Sequence, residues 1–160
     1  MAAKGKTNAM RILDTSKISY RIHEMDLKDN FTSGSEIARL QGQNPEQVLK
    51  TLVTESGDGE HFVCVIPVDA TLDLKKAAKH FGVKKLDMMS MKKLLPLTGY
   101  IHGGCSPVGM KKTFPTAVDE TAQLFSTIYV SGGRPGLQVE LSPDELCGIT
   151  DAAYADLTFE

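Results

Sequence analysis

Residues 51–67 of the chain, TLVTESGDGEHFVCVIP, decide the fold expected from the sequence. The segment Thr51 to Thr54 contains β-branched residues and favours a strand. A second apolar run, His61 to Pro67, is typical of another strand. Between them lies Ser56-Gly57-Asp58-Gly59, whose glycines and aspartate tolerate the backbone angles of tight turns. The stretch therefore predicts an antiparallel hairpin.

Capping and alternation patterns predict further elements on both sides of this hairpin. Before it we expect a helix from Asn8 to Asp14 capped by Asn8, a strand from Ser19 to His23, a helix from Glu36 to Gln41 capped by Ser35, and another helix start at Asn44-Pro45-Glu46. After it we expect a helix capped by Asp73 and ended by Gly82, a strand at 84–87, a helix from Ser90 to about Pro96, strands at 126–130 and 137–141, and a last helix starting at 142–145.

The order of these elements indicates the fold class. About six or seven strands and four or five helices mix hairpins with crossovers, which favours an α/β fold with a mixed, largely antiparallel sheet packed by helices. A doubly wound parallel sheet is not expected. The chain has 160 residues and a mass of 17.4 kDa, the size of one domain, so residues 1–160 are predicted to form a single domain. Residues 1–7 are predicted to be a disordered tail.

Composition excludes several classes of protein. The hydrophobic fraction is 41% and the charged fraction 24%, values that disordered and fibrous chains do not have. No apolar run approaches the roughly 18 residues of a membrane helix, so no membrane association is expected. Residues 1–17 lack an apolar stretch followed by a cleavage site, which favours a cytoplasmic location.

Cysteine and histidine positions argue against a metal or disulfide framework. No CxxC pair occurs, and the histidines fall in no spacing typical of metal ligands. These residues are Cys64, Cys105 and Cys147, and His23, His61, His80 and His102. Nucleotide-binding glycine motifs are also missing, so neither a metal nor a cofactor is predicted.

Charge is distributed unevenly along the chain. Residues 75–112 contain nine lysines and one acid, Asp87, which gives this segment a net charge of +8. Since the whole chain carries −2, the remaining residues sum to −10. One interpretation is a basic face that meets a polyanion; the other is a set of solvated lysines on helix surfaces.

Two glycine-rich segments, Gly103 to Gly109 and Ser131 to Gly136, lie beside predicted strands. Glycine allows the main chain to approach a ligand closely, and free main-chain N–H groups in such loops can bind a carbonyl oxygen or a phosphate. The alternative is two tight turns without a ligand.

Two further side-chain arrangements have a functional and a structural interpretation. Lys50 lies among apolar residues at an element boundary, where it would either point into a pocket as a cationic anchor or reach solvent. Cys105 lies three residues after His102, which permits a Cys/His nucleophile, although such pairs form in space rather than by sequence spacing.

Several segments together resemble the YbaK/EbsC family of aminoacyl-tRNA deacylases. The resemblance extends from about Ile12 to Ala155, with the motifs in order. The motifs are Asn44 to Leu52 (NPEQVLKTL), Leu72 to Lys76 (LDLKK), Thr98-Gly99-Tyr100, Gly103 to Gly109 (GGCSPVG), Lys111-Lys112 and Ile128 to Gly133 (IYVSGG).

The resemblance implies a fold similar to the editing domain of prolyl-tRNA synthetases and a pocket walled by the two glycine-rich loops. It makes Lys50 the catalytic residue and implies no protein nucleophile: the thiol of Cys-tRNA(Pro) attacks its own ester carbonyl. It also implies that the chain meets the tRNA acceptor end and that prolyl-tRNA synthetase delivers it. The implied substrate-binding residues are Met25, Thr51, Gly103, Gly104, Ser106, Pro107, Gly109, Ser131, Gly132, Gly133 and Gln138.

Departures from the family pattern leave alternatives open. Relatives often carry an aromatic residue where Met25 stands and an aspartate where Gln138 stands, and the position of Cys105 is usually aliphatic. The change at Gln138 leaves Ala-tRNA(Pro) as another substrate. A non-catalytic module that binds tRNA or a synthetase, and a cysteine hydrolase using Cys105, are the further alternatives.

Overall fold

The computed structural model describes residues 5–26 and 33–159, and within them two sheets. The three-stranded sheet has the order β1-β7-β6, with β1 (Arg21–Glu24), β6 (Ile128–Ser131) and β7 (Leu137–Leu141). The five-stranded sheet has the order β4-β2-β3-β5-β8, with β2 (Leu49–Ser56), β3 (His61–Pro67), β4 (Leu86–Met88), β5 (Thr116–Asp119) and β8 (Ala153–Ala155).

Strand pairing confirms a mixed, largely antiparallel α/β fold. Four pairs are antiparallel and two, β3 with β5 and β5 with β8, are parallel. The described residues contain eight strands in two sheets, whereas the sequence predicted about six or seven in one. The two strands that were not predicted, β5 and β8, are only four and three residues long.

The predicted hairpin is the centre of the larger sheet. β2 and β3 pair in continuous register from Leu49 opposite Pro67 to Glu55 opposite His61. Because side chains alternate along a strand, the sheet presents two different faces. Val63 and Val65 belong to one buried cluster, and Phe62, Cys64 and Ile66 belong to another on the opposite face.

Helices pack on both faces of this sheet. In chain order they are α1 (Asn8–Thr15), α2 (Gly34–Leu40), α3 (Leu74–Phe81), α4 (Leu94–Thr98) and α5 (Pro143–Thr150), with 3-10 helices at Met91–Lys93 and Glu120–Leu124. Among these described helices none has both the length and the apolar composition of a membrane span.

Both predicted ends of α3 and the predicted start of α5 are confirmed. α3 begins after Asp73, whose carboxylate accepts the N–H groups of the first turn, and it ends at Gly82 with a φ of 73°. α5 begins with Ser142 as its cap and Pro143 in the first turn.

The caps of the first two helices were predicted at the wrong residues. Thr7 caps α1 in place of Asn8, whose side chain instead donates to the carbonyl of Gly109 over 2.8 Å. Ser33 caps α2 in place of Ser35, so that this helix starts two residues earlier than expected.

The helix predicted at Asn44-Pro45-Glu46 is a turn. The side chain of Asn44 accepts the N–H of Glu46 over 3.0 Å, and its carbonyl accepts the N–H of Gln47 over 2.9 Å. These local bonds satisfy the groups that would otherwise begin a helix, and the chain enters β2 two residues later.

The predicted tail has defined contacts where it is described. Residues 1–4 lie outside the described residues. Lys6 pairs with Asp14, the Thr7 hydroxyl donates to the carbonyl of Gly132, and the carbonyl of Gly5 accepts from Arg134 over 2.9 Å. Residues 5–7 therefore pack against the domain.

Candidate active site

A cavity of about 480 Å³ lies beside the start of β2. Its size is in the range of small-ligand sites. The lining comes from α2 and its cap, β2, the segment after β4, the first glycine-rich loop, β6 and β7. The residues are Ser33, Gly34, Ser35, Ile37, Val48, Leu49, Lys50, Thr51, Leu52, Val53, Val68, Met88, Met89, Met91, Leu94, His102, Gly103, Cys105, Val130, Ser131, Gly136, Leu137 and Gln138.

Five of the predicted site residues lie in this lining, and seven lie outside it. The lining residues are Lys50, Thr51, Gly103, Ser131 and Gln138, and the others are Met25, Gly104, Ser106, Pro107, Gly109, Gly132 and Gly133. The structure therefore brings residues predicted from three distant segments, at 50–51, 103 and 131–138, to one cavity. Their functional roles stay predictions.

The two glycine-rich loops pack directly against each other. A Cβ placed on Gly104 would lie 2.8 Å from the Cα of Arg134 and 2.8 Å from the ring of Pro135. Gly133 has a φ of 110°, and a Cβ there would lie 3.1 Å from the ring of Tyr100. Gly104 thus allows the two loops to meet, because a larger residue there would push them apart.

Other predicted residues stabilise the loops through local hydrogen bonds. Ser106 is completely buried, and its hydroxyl accepts the N–H of Val108 over 3.1 Å. The hydroxyl of Ser131 accepts the N–H of Gly133 over 3.3 Å, and the N–H of Gly132 donates to the carbonyl of Leu137 over 2.8 Å. These bonds fix the shape of the cavity wall.

The remaining predicted residues lie behind or beside that wall. Pro107 is buried in the first glycine-rich loop, and a Cβ on Gly109 would lie 2.8 Å from the hydroxyl of Tyr100. Met25 donates its N–H to the carbonyl of Gly136 over 2.8 Å, which places it next to a residue of the lining.

Lys50 is the lysine among the described residues of the cavity lining. Its side chain is partly buried, and desolvation lowers the pKa of its amine, while Asp69 opposes that shift. Within the described residues no carboxylate forms an ion pair with this amine. A partly desolvated ammonium without a carboxylate partner is stabilised by any negative charge that binds or develops beside it.

Gln138 is held by a second glutamine behind the cavity wall. Gln43 donates to the side-chain carbonyl of Gln138 over 2.7 Å, and Gln138 donates back over 3.0 Å. Gln138 is only 7% exposed, so this reciprocal pair satisfies a buried amide. It also fixes which amide atoms of Gln138 remain for a ligand.

Cys105 and His102 both line the cavity but do not form a nucleophilic pair. Burial raises the pKa of the Cys105 thiol to about 11, although a hydrogen bond with Thr98 acts in the opposite direction. His102 is exposed, and no hydrogen bond joins it to the thiol in the part of the chain described. A thiol that stays protonated at neutral pH is a weak nucleophile.

The first glycine-rich loop offers main-chain donors beside the cavity, since Cys105 belongs to the lining and Ser106 follows it. Cys105 and Ser106 are buried, and no main-chain hydrogen bond among the described residues uses their N–H groups. Buried N–H groups without a partner are rare in proteins and are typical of anion sites.

Sequence reasoning missed the methionines of the lining. Met88, Met89 and Met91 line the cavity, and Met88 and Met91 are 48% and 54% exposed at the same time. The run of methionines over 88–91 was the available signal, since this flexible apolar side chain is common at binding surfaces. Among the described residues no group of three or more His, Cys, Asp or Glu side chains is placed to hold a metal ion.

Comparison with known proteins gives the class of this fold and site. The family model for the aminoacyl-tRNA editing domain matches residues 29–149. A solved structure named as a trans-editing enzyme for prolyl-tRNA synthetase has a TM-score of 0.82 and 26% identity, covering 98% of this chain and 100% of the other. Another, of a hypothetical protein, has a TM-score of 0.86 and 26% identity over 96% and 100%.

The chain therefore belongs to the aminoacyl-tRNA editing domain family. A relative from Enterococcus faecalis, named as the Cys-tRNA(Pro)/Cys-tRNA(Cys) deacylase EbsC, is 43% identical over 153 residues, covering 96% of this chain and 93% of the relative. The resemblance to the YbaK/EbsC family and the prediction of an enzyme of the aminoacyl-tRNA deacylase class are confirmed.

Proposed function

We propose that this protein is a trans-editing deacylase that removes cysteine from mischarged Cys-tRNA(Pro). The relative named EbsC is named for this substrate. The single observation that carries the proposal is the cavity itself, which combines the Lys50 ammonium with the main-chain N–H of Cys105, for which the described residues supply no main-chain partner. Such a site can hold and polarise an ester without attacking it.

The substrate supplies the nucleophile in this proposal. The cysteinyl sulfur attacks its own ester carbonyl and forms a C–S bond. The C–O bond to the tRNA 3′-oxygen then breaks, and the thiol proton passes to that oxygen. A cyclic thiolactone leaves and is opened by water. Because the thiol is already attached, the protein contributes orientation and stabilises the developing oxyanion.

Lys50 has one of two roles in this step. Its ammonium either stabilises the negative charge that develops on the ester or binds the terminal phosphate of the tRNA. Both roles require the cationic form, and both are lost when the amine is removed.

The rest of the tRNA lies outside the cavity. Lys92 is exposed and follows Met91 of the lining, so this lysine is available beside the cavity for contacts with the acceptor end, whereas Lys93 pairs with Glu55. Delivery of the tRNA by prolyl-tRNA synthetase, and a cytoplasmic location, complete the proposal and rest on the sequence.

A deacylation panel tests the proposal. Purified protein is incubated with Cys-tRNA(Pro), Ala-tRNA(Pro) and Pro-tRNA(Pro), and release of each amino acid is compared with the spontaneous rate. We expect acceleration with Cys-tRNA(Pro) only. Acceleration with Ala-tRNA(Pro) alone identifies the alanine-directed alternative, and salt-dependent tRNA binding without acceleration of any ester identifies a non-catalytic module.

Lys50→Ala provides the matching residue test. We expect kcat/KM for Cys-tRNA(Pro) to fall by about 10²-fold, the size found when a single group that stabilises an oxyanion is removed. Arg11→Ala, which removes an exposed cation from α1 outside the cavity lining, is the control and should keep wild-type turnover. A folded Lys50→Ala protein with unchanged kcat/KM would show that this lysine has no role in the reaction.

A further inference from the structure

Main-chain groups of β2 point in alternate directions along the strand. The carbonyl of Val48 accepts from Val68 over 2.8 Å, and the N–H of Ser56 donates to Glu60 over 2.8 Å. Both bonds fit the continuous register between β2 and β3. Even-numbered residues of β2 therefore bond to β3, and odd-numbered residues direct their N–H and C=O groups to the outer edge.

This outer edge is occupied on both sides of Thr51. Towards the start of the strand, Tyr129 donates to the carbonyl of Gln47 over 3.0 Å, next to an isolated parallel bridge between Val48 and Tyr129. Towards the end, Met89 donates to the carbonyl of Val53 over 3.2 Å, and β4 continues from there. The gap between these contacts is centred on Thr51.

In the part of the chain that the structure describes, Thr51 has no partner for its outward groups. Among the described residues no hydrogen bond uses its main-chain N–H or C=O on this edge, and its hydroxyl oxygen is buried without a partner. Thr51 also lines the cavity. An unpaired strand edge is a template for another extended main chain, and Thr51 lies within the unpaired stretch of this edge.

An α-aminoacyl ester has the main-chain atoms of a single strand residue: a nitrogen, a Cα and a carbonyl. We propose, on the basis of the proposed function, that Thr51 receives the aminoacyl group as one residue of an added antiparallel strand. The C=O of Thr51 accepts from the α-ammonium, and its N–H donates to the ester carbonyl oxygen. Two residues exchange both main-chain bonds in the same way in a hydrogen-bonded antiparallel pair.

The direction of β2 places the two ends of the aminoacyl group correctly relative to the positive charge of Lys50. The N–H of Thr51 adjoins Lys50, and its C=O adjoins Leu52. The ester carbonyl therefore lies on the Lys50 side, and the α-ammonium lies away from that cation. Among the described residues of the cavity lining there is no aspartate or glutamate to pair with the α-ammonium, and the main-chain carbonyl of Thr51 is an acceptor on this edge.

A substrate without the amine tests the contact between the C=O of Thr51 and the α-ammonium. The protein is given Cys-tRNA(Pro) and tRNA(Pro) acylated with 3-mercaptopropionate, which keeps the thiol and the ester but lacks the α-ammonium. Each rate is divided by its own spontaneous rate. We expect the acceleration to be at least tenfold smaller without the amine, since a hydrogen bond to a charged group is worth about 1.5–3 kcal/mol.

The outcomes separate this proposal from the proposed function. No acceleration of Cys-tRNA(Pro) would contradict the deacylase function itself. Clear acceleration of Cys-tRNA(Pro), with equal acceleration of the amine-free ester, would overturn the strand-edge proposal and leave the function intact.

A pair of variants tests the contact between the N–H of Thr51 and the ester carbonyl oxygen. Thr51→Pro lacks the outward N–H and breaks no bond to β3, whereas Thr51→Val keeps the N–H; both lack the hydroxyl. We expect kcat of Thr51→Pro to be at least tenfold below that of Thr51→Val when thermal unfolding shows that both are folded. Equal kcat values would overturn the role of this N–H. If Thr51→Pro does not fold, the comparison of the two esters decides the proposal.

Discussion

Gln43 and Gln138 connect the cavity wall to the turn before β2 by two hydrogen bonds in opposite directions. Gln43 also donates to Gln41 over 3.4 Å, so its amide N–H groups are both used. Gln138 keeps one N–H and one lone pair beyond the pair, because an amide has two of each. A neutral amide at this wall tolerates uncharged ligand groups, whereas a carboxylate there would attract a cation.

Replacing Gln43 by leucine tests the value of this pair. Gln43→Leu leaves the 7%-exposed amide of Gln138 without its partner. We expect the free energy of unfolding to fall by about 1–3 kcal/mol, the cost of a buried polar group left unsatisfied. Urea denaturation measures the change. The same substitution at the exposed residue Gln123 is the control, and an equal effect at both positions would show that the pair contributes nothing specific.

The sequence predicted one member of this pair and not the other. Gln138 was found through the family resemblance, as a departure from aspartate. Gln43 is 95 positions away and lies in a turn without regular periodicity. Lys50 was found because a cation at an element boundary is detectable in sequence, but its desolvation depends on residues that only the fold brings together.

At the level of elements, the contact between the two glycine-rich loops sets the shape of the cavity. The sequence indicated both loops, since glycine runs between strands are a strong local signal. Their direct contact at Gly104 was not predictable, because no local pattern reports the distance between two loops. This contact explains why residue 104 must be a glycine although its φ is not positive.

Gly104→Ala and Gly148→Ala are matched substitutions that we expect to change the free energy of unfolding in opposite directions. The added methyl at Gly104 would lie 2.8 Å from the Arg134 Cα, so the loops must separate. We expect a loss of about 1–3 kcal/mol in the free energy of unfolding, together with a lower kcat. Gly148 lies within α5 with nothing within 4 Å of the added methyl, and alanine there should stabilise by about 1 kcal/mol.

Thermal or urea unfolding of Gly104→Ala and Gly148→Ala measures both changes in the free energy of unfolding. A Gly104→Ala protein as stable and active as the wild type would show that the loops are not pressed together as described.

Local signals predicted the elements with strong caps and missed those that depend on distant pairing. The ends of α3 and the hairpin of β2 and β3 follow from a cap, a left-handed glycine and a turn. β5 and β8 pair in parallel with residues more than 30 positions away, and no adjacent turn sequence predicts either strand. The turn at Asn44 was mistaken for a helix because the same residues begin both.

At the level of the whole molecule, the lysines of residues 75–112 do not form one face. Ala77 and Ala78 of α3 belong to the cluster on one side of the larger sheet, and Met89 and Leu94 belong to the cluster on the cavity side. The lysines of α3 are therefore separated by the sheet from Lys92. The net charge of residues 75–112 can be read from the sequence, but the placement of these lysines on two sides of the larger sheet cannot.

Salt dependence distinguishes the two groups of lysines. Lys92 and Lys79 are both exposed, but only Lys92 follows the cavity lining. We expect Lys92→Gln to weaken the use of Cys-tRNA(Pro) and to make the slope of log kcat/KM against log salt less negative by about 0.7–0.9, the value of one phosphate contact. Lys79→Gln should leave the slope unchanged. Equal slopes for both variants would contradict a path of the acceptor arm past Lys92.

The length of the gap in the outer edge of β2 limits the substrates that fit. Contacts from Tyr129 to Gln47 and from Met89 to Val53 close that edge on either side of Thr51, which leaves a short unpaired stretch between them. A free aminoacyl group ends at its amine and fits between them. A nascent chain on peptidyl-tRNA continues beyond that nitrogen, where the edge is already paired. In the strand-edge proposal, the gap that receives a misplaced amino acid would therefore leave the ester of a growing polypeptide uncleaved.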